Sequence, residues 1–233
     1  MPVYALEDDI LFPPPELARE DGLLAVGGDL SPERLLTAYA MGIFPWYSEG
    51  EPILWWSPDP RMVLMTSEFH VSRRLARTMR AGKFEISVDT AFETVIEHCA
   101  TVEGRGEGRT WITHEMRMAY TLLHRMGFAH SFECRLEGDV VGGLYGISLG
   151  RCFFGESMFS RVTDASKVAT HALTEFARAH EFTFIDCQVA NRHLASLGAR
   201  DVPRPYFLEL LRRAMDHETL RGSWSDWNPS DSL

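Results

Sequence analysis

The sequence predicts an α+β protein built on a mixed sheet, preceded by a small loop-rich domain. Three observations predict it. Apolar runs of strand length follow one another in the middle of the chain instead of alternating strictly with helices. Amphipathic helical patterns stand on both sides of that meander. The first sixty residues are dense in proline, tryptophan and turn signals. A chain of 233 residues suffices for one large domain and one small one. The division is expected at 1–61 and 62–233.

Phe12-Pro13-Pro14-Pro15 excludes helix and central strand. Ala25-Val26-Gly27-Gly28-Asp29-Leu30 leads into a helix start, with Ser31 as N-cap and Pro32 at the first helical position. That helix carries Leu35, Leu36, Ala38 and Tyr39 and stops near Gly42. Phe44-Pro45-Trp46-Tyr47 and Leu54-Trp55-Trp56-Ser57-Pro58-Asp59-Pro60-Arg61 follow. Aromatic side chains this dense in a turn-rich segment must pack on a neighbour or hold a flat ligand. The spacing then predicts a basic amphipathic helix over 70–82. Arg73, Arg74, Arg77 and Arg80 recur on it, Lys83 lies just beyond, and Val71, Leu75 and Met79 are expected to face inward.

A strand over Phe84–Val88 and a helix over Thr90–Ala100 come next, then a charged, glycine-containing loop at 101–110 and a helix over Thr113–Met126. His130–Leu136, Val140–Leu149 and Arg151–Gly155 read as a meander that turns at Glu137-Gly138-Asp139 and at Gly150. Gly142, Gly143 and Gly146 inside its second strand suggest a bulge or a close backbone approach. A helix over 165–180 places Val168, Ala169, Ala172, Leu173, Phe176 and Ala177 on one face. A strand over Phe182–Val189, helices near 191–197 and 204–216, and an irregular tail from Gly222 complete the chain. This order fits the acetyltransferase-like (GNAT) fold, in which the strands before and after the long helix splay apart.

Composition narrows the function classes. The chain is 45% hydrophobic and 24% charged, and no apolar run reaches the ~18 residues of a membrane span. The N-terminus, Met1-Pro2-Val3-Tyr4-Ala5-Leu6-Glu7-Asp8-Asp9, is acidic and lacks the basic-then-apolar order of a signal peptide, so a cytoplasmic protein is expected. Cys99, Cys134, Cys152 and Cys187 are scattered and read as buried free thiols. The formal net charge of −10 taken alone argues against a nucleic-acid partner. Binding follows local fields, however, and the cations at 73–83 are concentrated.

The most informative stretch is Phe153-Phe154-Gly155-Glu156-Ser157-Met158-Phe159-Ser160, read with Ile185-Asp186-Cys187-Gln188. Each sets polar groups at the end of an apolar run, where a carboxylate is costly without a partner. On a regular strand Asp186 and Gln188 share one side and Cys187 takes the other. A carboxylate beside an amide can hold and deprotonate an amine, and Glu156 can bind a cation nearby. The plainer alternatives are strand-end hydrogen bonds for Asp186 and Gln188, and a structural salt bridge to Arg161 or Lys167 for Glu156.

Several chemistries lack their motifs. There is no G-x-x-x-x-G-K-[ST], no H-E-x-x-H, and no histidine–cysteine spacing for a metal. No metal and no cofactor is expected. The connection 157–167 into the long helix has no glycine, so it is poorly suited to wrap the pyrophosphate of coenzyme A.

The chain resembles the bacterial leucyl/phenylalanyl-tRNA–protein transferases. The motifs that carry the resemblance are Gly22-Leu23-Leu24-Ala25-Val26-Gly27-Gly28-Asp29-Leu30, Gly42-Ile43-Phe44-Pro45-Trp46, Trp55-Trp56-Ser57-Pro58-Asp59-Pro60-Arg61, Thr110-Trp111-Ile112-Thr113, Val141-Gly142-Gly143-Leu144-Tyr145-Gly146, Phe154-Gly155-Glu156-Ser157-Met158-Phe159-Ser160, Asp186-Cys187-Gln188 and Ala195-Ser196-Leu197-Gly198-Ala199. They run from about residue 11 to about residue 205. The resemblance implies an aminoacyltransferase. It moves leucine or phenylalanine, and methionine less well, from aminoacyl-tRNA to proteins that begin with arginine or lysine, marking them for N-degron-dependent degradation. A coenzyme A dependent N-acetyltransferase of the same fold is the second reading.

The resemblance also implies roles. Asp186, Gln188 and Glu156 form the catalytic set, and Glu156 receives the basic side chain of the acceptor. Leu144, Met158, Leu173, Phe176, Ala177 and Ile185 are candidates for the donor side-chain pocket, with core packing as the alternative for each. Trp46 and Trp111 stack the terminal adenosine, or else lie between the domains. Arg73, Arg74, Arg77, Arg80 and Lys83 grip tRNA phosphates, or else form a solvated helix face. A monomer is expected.

Overall fold

The computed structural model describes residues 2–101 and 111–227. In chain order its elements are β1 (Tyr4–Leu6), β2 (Leu23–Gly27), α1 (Pro32–Ala40), β3 (Phe44–Pro45), β4 (Leu54–Trp56), β5 (Arg61–Met65), α2 (Arg73–Arg80), β6 (Glu85–Val88), α3 (Phe92–Thr101) and α4 (His114–Arg125). They continue as β7 (Ala129–Leu136), β8 (Asp139–Leu149), β9 (Cys152–Ser160), α5 (Ala165–Ala179), β10 (Phe184–Gln188), α6 (Arg192–Ala195), β11 (Arg200–Val202) and α7 (Arg204–Met215). The loop expected over 101–110, apart from Thr101 at the end of α3, lies outside the described residues, as does Thr110 of the Thr-Trp-Ile-Thr motif.

The first sixty residues carry more strand than their composition suggests. β1, β2, β4 and β3 form a four-stranded sheet in that order. Its strands are two to five residues long, too short for an alternation to register in the sequence. α1 starts as its capping pattern predicts: Ser31 Oγ accepts from Arg34 N, and Pro32 is the first helical residue. Trp55 is fully buried and donates from its indole to Gly27 O at 2.9 Å.

Seven strands make the large sheet, in the order β11-β5-β10-β9-β8-β7-β6. Only β9 and β10 are parallel; every other neighbouring pair is antiparallel. The sheet is therefore mixed, as expected. β5 and β11, which the sequence pattern did not reveal, close its far edge. One face is covered by α2, α5 and the segment around Trp224, the other by α1, α3, α4 and α7. The six residues expected on the inner face of α5 are all buried. Trp224, in an irregular tail, is also buried; its ring stacks on Phe176 at 4.2 Å and on His130 at 3.4 Å. The first sixty residues and the large sheet share one continuous apolar core, from Leu24 and Trp55 through Phe154 to Phe207.

Two departures from the expected strands build the site. β9 does not stop at Gly155 but runs on to Ser160 against β8. Tyr145 pairs with Ser157 and Gly146 with Gly155, so Glu156 is the extra residue of a β-bulge. Gly146 permits this close approach: a Cβ there would lie 2.1 Å from Phe154 O. On β10, Asp186 pairs with Val63 and Gln188 with Met62, which leaves Cys187 unmatched in a second bulge. β9 and β10 pair only from Cys152/Phe184 to Phe154/Asp186 and then part. The splay expected on either side of the long helix is thus present, with a bulge on each lip.

All four cysteines are buried, and among the described residues none forms a disulfide. Among the described residues no helix is long and apolar enough to cross a membrane, and no cluster of histidine, cysteine, aspartate and glutamate could hold a metal ion.

Candidate active site

A cavity of about 200 Å³ opens where β9 and β10 part. Its apolar wall includes Leu64, Leu144, Met158, Leu173, Ile185 and Leu194. Glu156, Gln188 and Asn191 supply polar groups, and Phe44, Pro45, Trp46, Trp111 and Val189 also line it. An apolar hollow with a few convergent polar groups is the usual form of a small-ligand site. Cys187 lines it too, and burial holds its thiol well above the ordinary value, so it stays neutral.

Glu156 is buried, and three donors converge on it. Tyr39 hydroxyl donates to Oε1 at 2.7 Å, Gln188 Nε2 to Oε1 at 2.7 Å, and Tyr120 hydroxyl to Oε2 at 3.0 Å. The two phenol oxygens are also in hydrogen-bond contact, and since each carries one proton, one hydroxyl shares its proton between the other phenol and the carboxylate. Burial pushes the Glu156 carboxyl up to about 7, against the pull of these three hydrogen bonds. Burial and the Glu156 charge hold both phenols well above their ordinary value, so they remain donors. Among the described residues these donors, and not Arg161 or Lys167, are the partners of the carboxylate. Because Gln188 spends its amide nitrogen on Glu156, its oxygen is the end that can accept from a ligand.

Asp186 lies on the other side of β10. It is fully buried and does not line the cavity. Arg61 Nε donates to its Oδ1 at 2.8 Å and Arg61 Nη2 to its Oδ2 at 2.6 Å. Oδ1 also accepts from the Gln188 backbone N–H at 2.9 Å. The sequence expectation that Asp186 and Gln188 face one side is therefore corrected. The bulge at Cys187 and a left-handed Gln188 backbone, φ +64°, break the alternation and turn Gln188 alone to the cavity.

Of the donor-pocket candidates, Leu144, Met158, Leu173 and Ile185 line the cavity. Phe176 and Ala177 do not; both belong to the core beneath α5, Phe176 against Trp224 and Phe182. They lie a turn further along α5 than Leu173, past the reach of the splay. Trp46 and Trp111 both line the cavity, Trp46 with 42% of its surface exposed. Trp56 Nε1 donates to Trp46 O at 2.7 Å and fixes that segment.

α2 displays Arg73, Arg77 and Arg80 to solvent with no carboxylate partner among the described residues, and Lys83 lies over the Phe84 ring at 4.5 Å. Arg74 differs: it pairs with Asp164 at 3.2 Å. Val71 precedes the helix, whose N-cap is Ser72, and is exposed rather than inward-facing. The helix is too short to carry a third inward position.

The sequence pattern missed Tyr39, Tyr120 and Arg61. Nothing local marks the tyrosines, which come from α1 and α4 and meet Glu156 only in the fold. Arg61 does carry a signal. It opens the apolar run Met62-Val63-Leu64-Met65, and a buried cation needs a partner for the same reason that Asp186 does.

Residues 63–212 match the family model for leucyl/phenylalanyl-tRNA protein transferase, and residues 28–59 match the model for the N-terminal domain of the same enzymes. The leucyl/phenylalanyl-tRNA–protein transferase of Desulfatibacillum aliphaticivorans is 60% identical over 226 residues, covering 97% of each chain. That of Myxococcus xanthus strain DK1622 is 55% identical over 233 residues, covering 99% of this chain and all of its own. Among solved structures, L-PGS from Bacillus licheniformis is similar with a TM-score of 0.41 at 10% identity, over 72% of this chain and 54% of that one. A GCN5-related N-acetyltransferase from Kribbella flavida gives 0.35 at 11% identity, over 73% and 60%. The sheet order, not these remote likenesses, defines the fold. A family model spanning most of the large sheet, joined to relatives at 55–60% identity along nearly the whole chain, establishes that the protein belongs to the leucyl/phenylalanyl-tRNA–protein transferase family.

Proposed function

We propose that this protein transfers leucine or phenylalanine, and methionine less well, from aminoacyl-tRNA to the α-amine of proteins that begin with arginine or lysine. The observation that carries the proposal is the pairing of Glu156 with Gln188 at the lip of an apolar cavity. Marking of the acceptor for degradation and a cytoplasmic location go with this reading.

The chemistry needs little machinery. The aminoacyl ester is already activated, so no ATP is consumed. The acceptor nitrogen attacks the ester carbonyl carbon, a C–N bond forms, and the C–O bond to the ribose breaks. An α-ammonium has an ordinary pKa of about 7.7–8.0 and gives up its first proton easily. The second proton goes, in net balance, to the ribose oxygen that leaves. What remains is orientation. Gln188 Oε1 accepts from the attacking N–H and sets its approach, while Asp186 acts through the Gln188 backbone it holds.

Three donors occupy Glu156, and a carboxylate offers about four lone-pair sites. One site and the negative charge remain for a guanidinium or an ammonium, which suits both arginine and lysine. Leu144, Met158, Leu173 and Ile185 receive the donor side chain, and Met158 adapts to leucine or phenylalanine. Trp46 and Trp111 stack the terminal adenosine, worth about 1–3 kcal/mol. Arg73, Arg77, Arg80 and Lys83 hold phosphates without reading bases.

A coenzyme A donor fits poorly. The N-cap residue of α5 is Asp164, whose carboxylate already meets Arg74, Thr78 and Lys167. The connection 157–167 that leads into α5 has no glycine to let the backbone wrap a pyrophosphate.

The test is to incubate the protein with radiolabelled leucyl-tRNA and a peptide beginning with arginine, without ATP or coenzyme A. Label should enter the peptide and should not enter one with a neutral N-terminus. Transfer from acetyl-coenzyme A instead would replace this reading with the acetyltransferase one.

A further inference from the structure

We propose that Arg61 is a positioning residue for the transfer reaction, locking the amine-orienting Gln188 and the Phe44–Trp46 wall of the cavity to one buried point. The proposal deepens the reading of the cavity given above and rests on it.

Arg61 has no exposed surface, and each of its three guanidinium nitrogens donates a hydrogen bond. Nε and Nη2 form a fork onto the two oxygens of Asp186. Nη1 donates to Gly42 O at 3.2 Å. The rings of Phe44 and Phe207 lie 4.7 Å and 4.5 Å from its central carbon. A planar, fully delocalised cation fits such a box; a lysine ammonium would supply the charge but neither the fork nor the stacking.

Two chains of contact leave this point. One runs through Asp186, whose Oδ1 also accepts the Gln188 N–H at 2.9 Å. Gln188 is left-handed, φ +64°, a costly conformation for a side chain of its size, and it persists only where its surroundings over-determine it. The Asp186 carboxylate and the bond from Gln188 Nε2 to Glu156 do that. The other chain runs through Gly42 O and the Phe44 ring to a segment of which Phe44, Pro45 and Trp46 line the cavity. The group that orients the amine and the wall that receives the aminoacyl-adenosine are thus fastened to the same guanidinium, although they come from opposite ends of the sequence. Asp186, with no surface on the cavity, belongs to this lock rather than to the groups that touch substrate.

Removing either charge alone leaves the other buried and unpaired, so single truncations would confuse misfolding with impaired function. The experiment therefore uses Arg61→Lys and the paired change Arg61→Met with Asp186→Leu, which removes both charges at similar volume. Thermal melts are read beside kcat and KM for leucyl-tRNA and an arginyl peptide. The paired variant should melt near the wild type, while kcat falls by about 100-fold, the cost expected of a misplacement of roughly 1 Å. Arg61→Lys should also lower kcat without shifting the pH at which activity half-saturates. A folded paired variant with wild-type kcat would overturn the proposal, because the pair would then be merely structural. A wild type that moves no label would instead sink the transfer reading itself.

Discussion

Gln188 Nε2 donates to Glu156 Oε1 at 2.7 Å, joining β10 to β9 beyond the last residue pair that the two strands share. One residue comes from a bulge and the other sits beside one, so the bond exists because the strands have stopped pairing. It ties the charge that would attract an acceptor to the amide that would aim it. The expected consequences concern protonation, the phenols, the walls and the cation helix.

The stability of the protein should depend on pH through Glu156. Its folded pKa is about 7, against an ordinary 4.5. Between those values the folded state keeps a proton that the unfolded chain has released. The contribution of this group to stability is therefore full below about 4.5, falls as pH rises to about 7, and stays low above. Glu156→Gln carries no charge and should flatten that window, gaining on the wild type at pH 8. Urea melts at pH 5 and pH 8 decide it; identical pH dependence in the two proteins would show that Glu156 titrates normally. In the wild type, kcat/KM for an arginyl peptide should rise through two apparent pKa values, about 7 for Glu156 and about 7.7–8.0 for the acceptor α-amine, and Glu156→Gln should keep only the second.

Tyr39→Phe and Tyr120→Phe each remove a donor to the carboxylate. A hydrogen bond to a charged group contributes about 1.5–3 kcal/mol, and its removal also favours the protonated acid. Both variants should be destabilised, and the Glu156 limb of activity should move above pH 7. A limb that stays in place would mean that the hydroxyls do not govern the charge on Glu156.

Leu173 and Phe176 lie one turn apart on α5 but should behave differently. Phe176→Ala opens the core next to Trp224 and should cost about 3–5 kcal/mol with the preference between leucine and phenylalanine unchanged. Leu173→Ala enlarges the cavity and should raise the share of phenylalanine transferred. Competition between leucyl- and phenylalanyl-tRNA measures that share; an effect of Phe176 alone would move the pocket one turn further along the same face of the helix.

On α2, the paired change Arg77→Glu and Arg80→Glu should raise KM for tRNA and reduce its salt dependence, by a slope of about 0.7–0.9 for each phosphate no longer neutralised. Arg74→Glu should do less to tRNA binding, since its partner is Asp164. Trp46→Ala should weaken tRNA binding by about 1–3 kcal/mol with little effect on melting, because that ring is partly exposed. Salt slopes equal to the wild type would remove α2 from the interface.

Much of the fold was legible because it repeats locally. The helix after Ser31 and Pro32, the meander around Glu137-Gly138-Asp139 and the apolar stripe of α5 each declare themselves within a few residues. β5 and β11 did not, since three to five residues beside a proline or a glycine carry no period. β9 was cut short at Gly155 because a bulge at Glu156 resets the alternation on which a strand is recognised.

By itself the sequence determined the fold class, the two lips of the site and the residue types on them, because a polar group ending an apolar run has to be accounted for. Tertiary structure alone decided what each polar group faces. Asp186 and Gln188 stand two apart in a strand-like run, yet a single bulge sends one to Arg61 and the other to Glu156. The physical reason is that side-chain direction follows a fixed alternation only while pairing is regular, and pairing depends on strands far away in the chain.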